Sequence, residues 1–365
     1  MTRRPRLLQL LVPAAVFQGV IVGGGYGTGR EVIEFVTRHG PRGGLVACTV
    51  IALAFAAVLG TSFAFAARFR LYDYRHFLVR LLGPAWIVYE GLFVALLVIV
   101  LAVVGAAGGQ ALVDGFGLPY GAGLAAVLTA VVVLNFFGRD LVERALGTWT
   151  LVLMASLGTF MAWVLAGDDG SIARHLAGTD GQALAGARGG LQFALYNSAL
   201  VPVLVYCIAD IGRVRDAATA GVVAGLAGAL PALLLHLCFL ARYPAVVAAP
   251  IPTGWLLGEL GAAGALPLYY VVLFGTIVLT AVGILQGVNE RLDGWRCDHG
   301  RAPLARTSHA LVAGVLVVTS LLFAQAGLVA LVARGYGALS WAFLVVFTVP
   351  LLTRGTLLIQ SRGES

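Results

Sequence analysis

The chain has 365 residues, of which 60% are hydrophobic and only 11% charged, with a formal net charge of +7. A soluble domain clothes itself with roughly 25% charged residues, so a fully water-facing surface is excluded. The positive balance is all Arg, since no Lys occurs. These Arg sit in short gaps between apolar runs, a topology signal rather than a nucleic-acid-binding stripe.

A hydrocarbon core of ~30 Å takes ~20 apolar residues per helix, and the chain supplies such runs repeatedly. The pattern predicts an all-α polytopic membrane protein of ten transmembrane helices in a single domain. Helix 1 covers Leu7–Arg38, helix 2 Gly43–Ala67, helix 3 Pro84–Leu112, helix 4 Tyr120–Phe137 and helix 5 Leu141–Leu165. A polar loop with Asp168, Asp169 and Asp180 follows. Helix 6 is Gly189–Ala209 and helix 7 Ala217–Leu240. Tyr243–Gly261, with Pro250 and Pro252, reads as a long loop carrying a short helix at Thr253–Leu260. Helix 8 is Ala265–Asn289, helix 9 Ser308–Ala326 and helix 10 Tyr336–Leu352.

Arg3, Arg4 and Arg6 before Leu7–Val16 imitate a signal peptide, but no cleavage site follows, so the segment reads as an uncleaved first helix. With the N-terminus inside, only Arg38, Arg42, Arg174, Arg188 and Arg242 fall outside, and Arg30 and Arg334 lie near or in the membrane. All other Arg fall inside, as cytoplasmic loops require. Both termini are therefore expected in the cytoplasm of a multi-pass cell-membrane protein, the inner membrane in a bacterium. Cys48, Cys207, Cys238 and Cys297 show neither a disulfide framework nor zinc spacing.

Two helices carry helix-breaking sequence. Helix 1 holds Gly23, Gly24, Gly25, Gly27 and Gly29, each costing roughly 1 kcal/mol against Ala. Consecutive glycines do not occupy one face, so close packing explains them poorly; Gly221 and Gly225 in helix 7 suit it well. Helix 6 holds Tyr196, Asn197 and Ser198 ahead of Pro202, which removes a backbone donor and clashes with the Ser198 carbonyl. The interrupted helices are the first and sixth of ten. Residues 7–165 and 189–353 then form two five-helix halves of opposite orientation, and such paired breaks point to a midplane substrate site.

The run Gly19-Val-Ile-Val-Gly-Gly-Gly-Tyr-Gly-Thr-Gly-Arg-Glu-Val-Ile-Glu-Phe resembles the helix 1 signature of YkvI-like membrane proteins. Those belong to the amino acid–polyamine–cation transporter superfamily with the LeuT-type fold. Tyr269-Tyr270 through Asn289-Glu-Arg291, and Gly327-Leu-Val through Arg334-Gly-Tyr336, extend the likeness. It implies a bundle of helices 1, 2, 6 and 7 rocking against a scaffold of helices 3, 4, 8 and 9. The activity implied is secondary transport of a small polar or zwitterionic solute by alternating access.

A half-helix N-terminus favours anions, so a substrate carboxylate is expected against Gly25, Tyr26 and Gly27, beside Gly23 and Gly24. The superfamily places Tyr196, Asn197 and Ser198 on the opposite wall. By the same resemblance a coupling sodium would take the carbonyls of Gly19 and Val22 and the hydroxyls of Thr276 and Thr280. Thr280 can instead bond the carbonyl four residues back. Family members often carry Gln where this chain has Arg30. Intramembrane charges are costly and usually functional. Arg30 and Glu34 stand four apart and can pair on one face, or Arg30 can grip an anionic substrate. Glu31 lies about 100° away and is the first candidate to exchange a coupling proton; His236 is the second.

A LeuT-fold receptor that binds without transporting is the alternative. The chain shows no His-Glu-x-x-His, Gly-x-Ser-x-Gly or P-loop pattern, so neither an enzyme nor an ATP-driven pump is expected. No cofactor is implied beyond a coupling ion. The expected partners are a small-molecule substrate and the lipid bilayer, and no nucleic acid.

Overall fold

The structure is a computed structural model describing residues 6–137, 139–178, 181–298, 300–325 and 327–361. Arg3, Arg4, Asp180, Ala326 and Arg362 lie outside them. The described residues are helical, with no strand among them. Six helices are long and apolar enough to cross a membrane, and eight if each of two bent pairs is one span. Two shorter apolar helices, Leu10–Ile21 and Tyr120–Val131, fall in the predicted helices 1 and 4.

The first predicted helix is three pieces: α1 (Arg6–Ile21), α2 (Gly24–Thr28) and α3 (Arg30–Phe35). The first break falls at Val22–Gly23, so the second piece starts at Gly24 rather than near Tyr26, and Gly25 is itself helical. Gly29 makes a further break at φ 78°, a left-handed conformation that glycine adopts without strain. α4 (Pro41–Phe69) starts with Pro at its N-terminus, where the missing N–H is not needed.

A helix not expected from the sequence follows, α5 (Tyr74–Leu82). Asp73 caps it by accepting from the His76 amide at 3.0 Å, and Phe77, Leu78, Leu81 and Leu82 are buried. Arg75, His76 and Arg80 occupy the outer face of this one amphipathic element. α6 (Trp86–Phe116), α7 (Tyr120–Phe137) and α8 (Arg139–Ala166) follow. The polar stretch after α8 also contains a short helix, α9 (Ser171–Ala177), set at 78° to α8.

The sixth predicted helix is α10 (Ala183–Ser198) and α11 (Val201–Leu204) with a 3-10 turn after it, bent by 45° at Ala199–Leu200. α12 (Val214–Leu240), α13 (Pro252–Glu259), α14 (Leu266–Asp298) and α15 (Arg306–Ala324) come next. The last helix runs Leu328–Gln360, eight residues earlier than expected, because exposed Arg334 does not interrupt it. It contains three π-helical stretches, Leu331–Tyr336, Leu344–Thr348 and Leu351–Gly355.

The helices pack in two groups. α4 lies along α12 and α10, and α1 along α12; α6 lies against α7, α14 and α15, and α14 against α8. Lipid offers no hydrophobic drive for helix association, so close packing must supply it. Gly225 shows how. A β-carbon there would come within 2.5 Å of the Ala56 amide nitrogen, and one on Gly221 within 2.7 Å of the Gly60 α-carbon. Phe17, Phe55 and Phe193 tie α1, α4 and α10 together, with ring centroids 5.0 and 6.3 Å apart.

Candidate functional site

Helix breaks free backbone groups that hydrocarbon cannot satisfy, and side chains from other helices answer them here. The Ala199 carbonyl at the α10–α11 bend accepts from the Tyr89 hydroxyl of α6. Near Gly29, the Gly25 carbonyl accepts from Thr28 Oγ1 at 2.9 Å and the Gly27 carbonyl from Tyr269 Oη at 2.9 Å. The α10–α11 bend and the Gly29 break are thus built features, tied by Tyr89 and Tyr269 to α6 and α14.

Between them lies a cavity of about 1390 Å³. Its inner end is lined by Gly23, Gly25, Glu31, Tyr196, Asn197 and Tyr336. It extends past Trp149 and Phe93 to Asp73, His76, Glu90 and Arg291, and both Asp73 and His76 are exposed. At that mouth Glu90 accepts from the Tyr74 hydroxyl and stands 3.5 Å from Arg291. The Arg291 guanidinium lies 4.1 Å from the Phe93 centroid and 4.5 Å from that of Tyr74, a cation–π arrangement.

Of the residues expected at the site, Gly19, Val22, Gly23, Gly25, Glu31, Tyr196, Asn197, Thr276 and Thr280 line this cavity. Tyr26 and Ser198 are fully buried off its wall, and among the described residues the Tyr26 hydroxyl and Ser198 Oγ have no hydrogen-bond partner. Tyr26 meets Phe193 edge-on at 5.7 Å. Gly24 begins α2. Gly27 also lies off the wall, beside Leu273.

The space over Gly25 is already taken. A β-carbon on Gly25 would overlap the Glu31 carboxyl group, whose Oε2 would stand 2.7 Å away. The carboxylate expected there from a substrate is the chain's own. Tyr196 Oη donates to Glu31 Oε2 at 2.5 Å, and the Tyr196 ring stacks on Tyr336 at 4.5 Å.

The threonine hydroxyls of α14 face back into their helix. Thr280 Oγ1 donates to the Thr276 carbonyl and Thr276 Oγ1 to the Val272 carbonyl, both at 2.8 Å. Thr280 nevertheless lies close to the break, since a β-carbon on Gly23 would sit 3.3 Å from its oxygen. Among the described residues no group of three or more His, Cys, Asp or Glu could hold a metal ion.

Arg30 and Glu34 are absent from the cavity wall. Arg30 Nη2 meets Glu34 Oε2 at 3.0 Å, while Nη1 donates to the Val247 and Ala249 carbonyls at 3.0 and 3.1 Å. Arg38 also pairs with Glu34. His236, the second proton candidate, is fully buried between Thr37 Oγ1 and the Pro41 carbonyl, each at 3.0 Å, and serves as packing glue between α12 and the start of α4.

The Arg30–Glu34 geometry carries an expected result. Arg30→Gln should lower stability by about 3 kcal/mol, the scale of a broken buried ion pair, and depress uptake. Adding Glu34→Gln should restore much of both. Melting temperature and solute affinity of the single and double variants check this; an affinity loss that persists in the double variant would assign Arg30 to the substrate.

Sequence reasoning missed Tyr89, Tyr269, Trp149 and Tyr336. Trp149 Nε1 donates to the Val272 carbonyl at 3.1 Å and Thr276 Oγ1 at 3.2 Å. The available signal was a polar-tipped aromatic within an apolar run, whose N–H or O–H needs a partner when buried.

No protein-family model matches the chain, and no curated protein sequence does. Among solved structures it is similar to MhsT in complex with L-phenylalanine, with a TM-score of 0.57 and 16% identity over 96% of this chain and 87% of that one. It is also similar to the Eremococcus coleocola manganese transporter in complex with an aromatic bis-isothiourea substituted compound. There the TM-score is 0.57 and the identity 15%, over 95% of this chain and 78% of the other. These are LeuT-fold transporters, and at such identity the likeness shows the fold.

Proposed function

We propose that the chain is a secondary active transporter that moves a small polar solute across a cell membrane by alternating access. The carrying observation is the cavity, which starts at two interrupted helices and reaches exposed Asp73 and His76. On the other side Gly29 packs under Phe239 and Thr253, and Arg30 ties α3 to the carbonyls of Val247 and Ala249 at the 3-10 turn Ala245–Ala248. The open mouth and the close packing around Gly29 and Arg30 support an end state open on one face and shut on the other, as alternating access requires. Arg75 and Arg291 at the open mouth support reading it as the cytoplasmic side, by the positive-inside rule.

On this reading the fold comprises two inverted five-helix halves, residues 7–165 and 189–353, and the chain is YkvI-like. Sodium or a proton drives uptake. Sodium would use Gly19, Val22 and Thr280; a proton would use Glu31. Both termini are cytoplasmic.

Flux into proteoliposomes tests the reading. A labelled panel of amino acids, amines and organic acids should yield at least one solute that accumulates under an imposed sodium or proton gradient and not without it. A solute that binds with saturation yet never crosses would convert the protein into a receptor.

A further inference from the structure

The inner end of the cavity holds a carboxylate for which the described residues supply no cation. Glu31 is 6% exposed and accepts one hydrogen bond, from Tyr196. No Arg or His among the described residues pairs with it. Its neighbour Arg30 is committed to Glu34 and two backbone carbonyls. The other acidic side chains on the cavity wall are answered, Glu90 by Arg291 and Tyr74, and Asp73 by His76 at 2.7 Å. A buried carboxyl group without a cationic partner either holds a proton or recruits a cation, and this one lines a cavity wide enough to bring it a cation.

The position of the carboxyl group narrows the cation. It lies over Gly25, and a second anion brought within a few ångströms of it in a low dielectric would be repelled. The wall beside it is aromatic, with Tyr196 and Tyr336 stacked on each other at 15°; an apolar wall next to a carboxyl group suits the hydrocarbon part of an organic cation better than a hydrated inorganic one. A divalent metal prefers several oxygen or nitrogen side-chain ligands, and no such cluster exists among the described residues.

Building on the transporter reading above, we propose that the solute carries a protonated amine whose counter-ion is Glu31, with Tyr196 positioning the carboxylate. The chain thereby supplies from its own sequence the anion at the broken helix and selects amines over carboxylates.

Thermal stabilisation of the purified full-length protein tests this at one fixed pH. The probes are hexylamine, 2-phenylethylamine, putrescine and choline. Hexanoate, 3-phenylpropanoate, L-phenylalanine and sodium chloride serve as comparison. At least one amine should stabilise the protein saturably, and its matched carboxylate should not. Glu31→Gln should weaken that amine on the order of 100-fold, as loss of one partner of a buried charge pair does, while Glu31→Asp keeps it within about 10-fold. The unliganded Glu31→Gln protein should melt no lower than wild type, since the charge it removes has no cation. If that variant fails to fold, the wild-type preference for amine over carboxylate decides alone.

The proposal is overturned if no amine stabilises the protein, if a carboxylate does so better, or if Glu31→Gln binds the amine unchanged. It is also overturned if sodium chloride alone gives a Glu31-dependent response. A carboxylate that is carried into proteoliposomes removes this proposal and leaves the transporter reading standing. An amine that binds through Glu31 but is not carried does the reverse.

Discussion

Gly25→Leu is expected to abolish solute uptake, to below about 1% of wild type, while leaving expression and monodispersity near normal. Even a β-carbon at this position overlaps the Glu31 carboxyl group, and leucine adds three further carbons at the inner end of the cavity. Glu31 must then swing away from Tyr196 or into the space a solute would take, and misplacing a binding group by 1 Å can cost 100-fold. The fold should tolerate the change, because the displaced atoms end a flexible side chain beside an open cavity rather than lying in packed backbone. Labelled uptake, normalised to protein inserted in the membrane, is the measurement. Wild-type uptake by this variant would remove the inner end of the cavity as the site.

Gly221→Leu should fail in the opposite manner, with the protein misassembled rather than inactive. Its β-carbon would press on the backbone of Leu59 and Gly60, which cannot rotate out of the way. Overpacking of a tight core costs typically 1–3 kcal/mol, and here two whole helices must separate. The expected readout is loss of a monodisperse peak in detergent and a much lower melting temperature. Gly158→Leu is the matched control, because that glycine is exposed with open space around it, and it should behave as wild type. Equal behaviour of the two variants would mean that the α4–α12 contact does not hold the fold together.

Six of the ten expected spans, or eight with the bent pairs, were readable because lipid demands long apolar runs whatever their partners, and the two breaks because glycine and proline act on their own backbone. Elements whose character depends on a neighbour were not readable. α5 looked like loop because Arg75, His76 and Arg80 outweigh Phe77, Leu78, Leu81 and Leu82 when counted without regard to face. The Arg30–Glu34 pair was visible since both residues sit within α3, where four positions make one turn. The meeting of Glu31 with Gly25 was not, because Gly29 lies between them and its left-handed turn resets the helical phase. The partners of His236 and Tyr89 lie far away in sequence, at Thr37, Pro41 and Ala199, beyond the reach of any local rule.

The last helix touches both sides of the cavity. Ser340 Oγ donates to the Gln192 carbonyl of α10 at 2.8 Å, while Phe343 and Phe347 hold Tyr89 of α6 between 5.5 and 5.7 Å. Any displacement of α10 relative to α6 is therefore transmitted to it from two directions. Each of its π-helical stretches holds one residue more per turn than the regular helix, and π-bulges of this kind recur at functional sites. Shifting that surplus residue along the chain lets one segment rotate against the next without breaking the helix in hydrocarbon. Leu331–Gly355 thus has the construction of a spindle with three points at which a twist can be taken up.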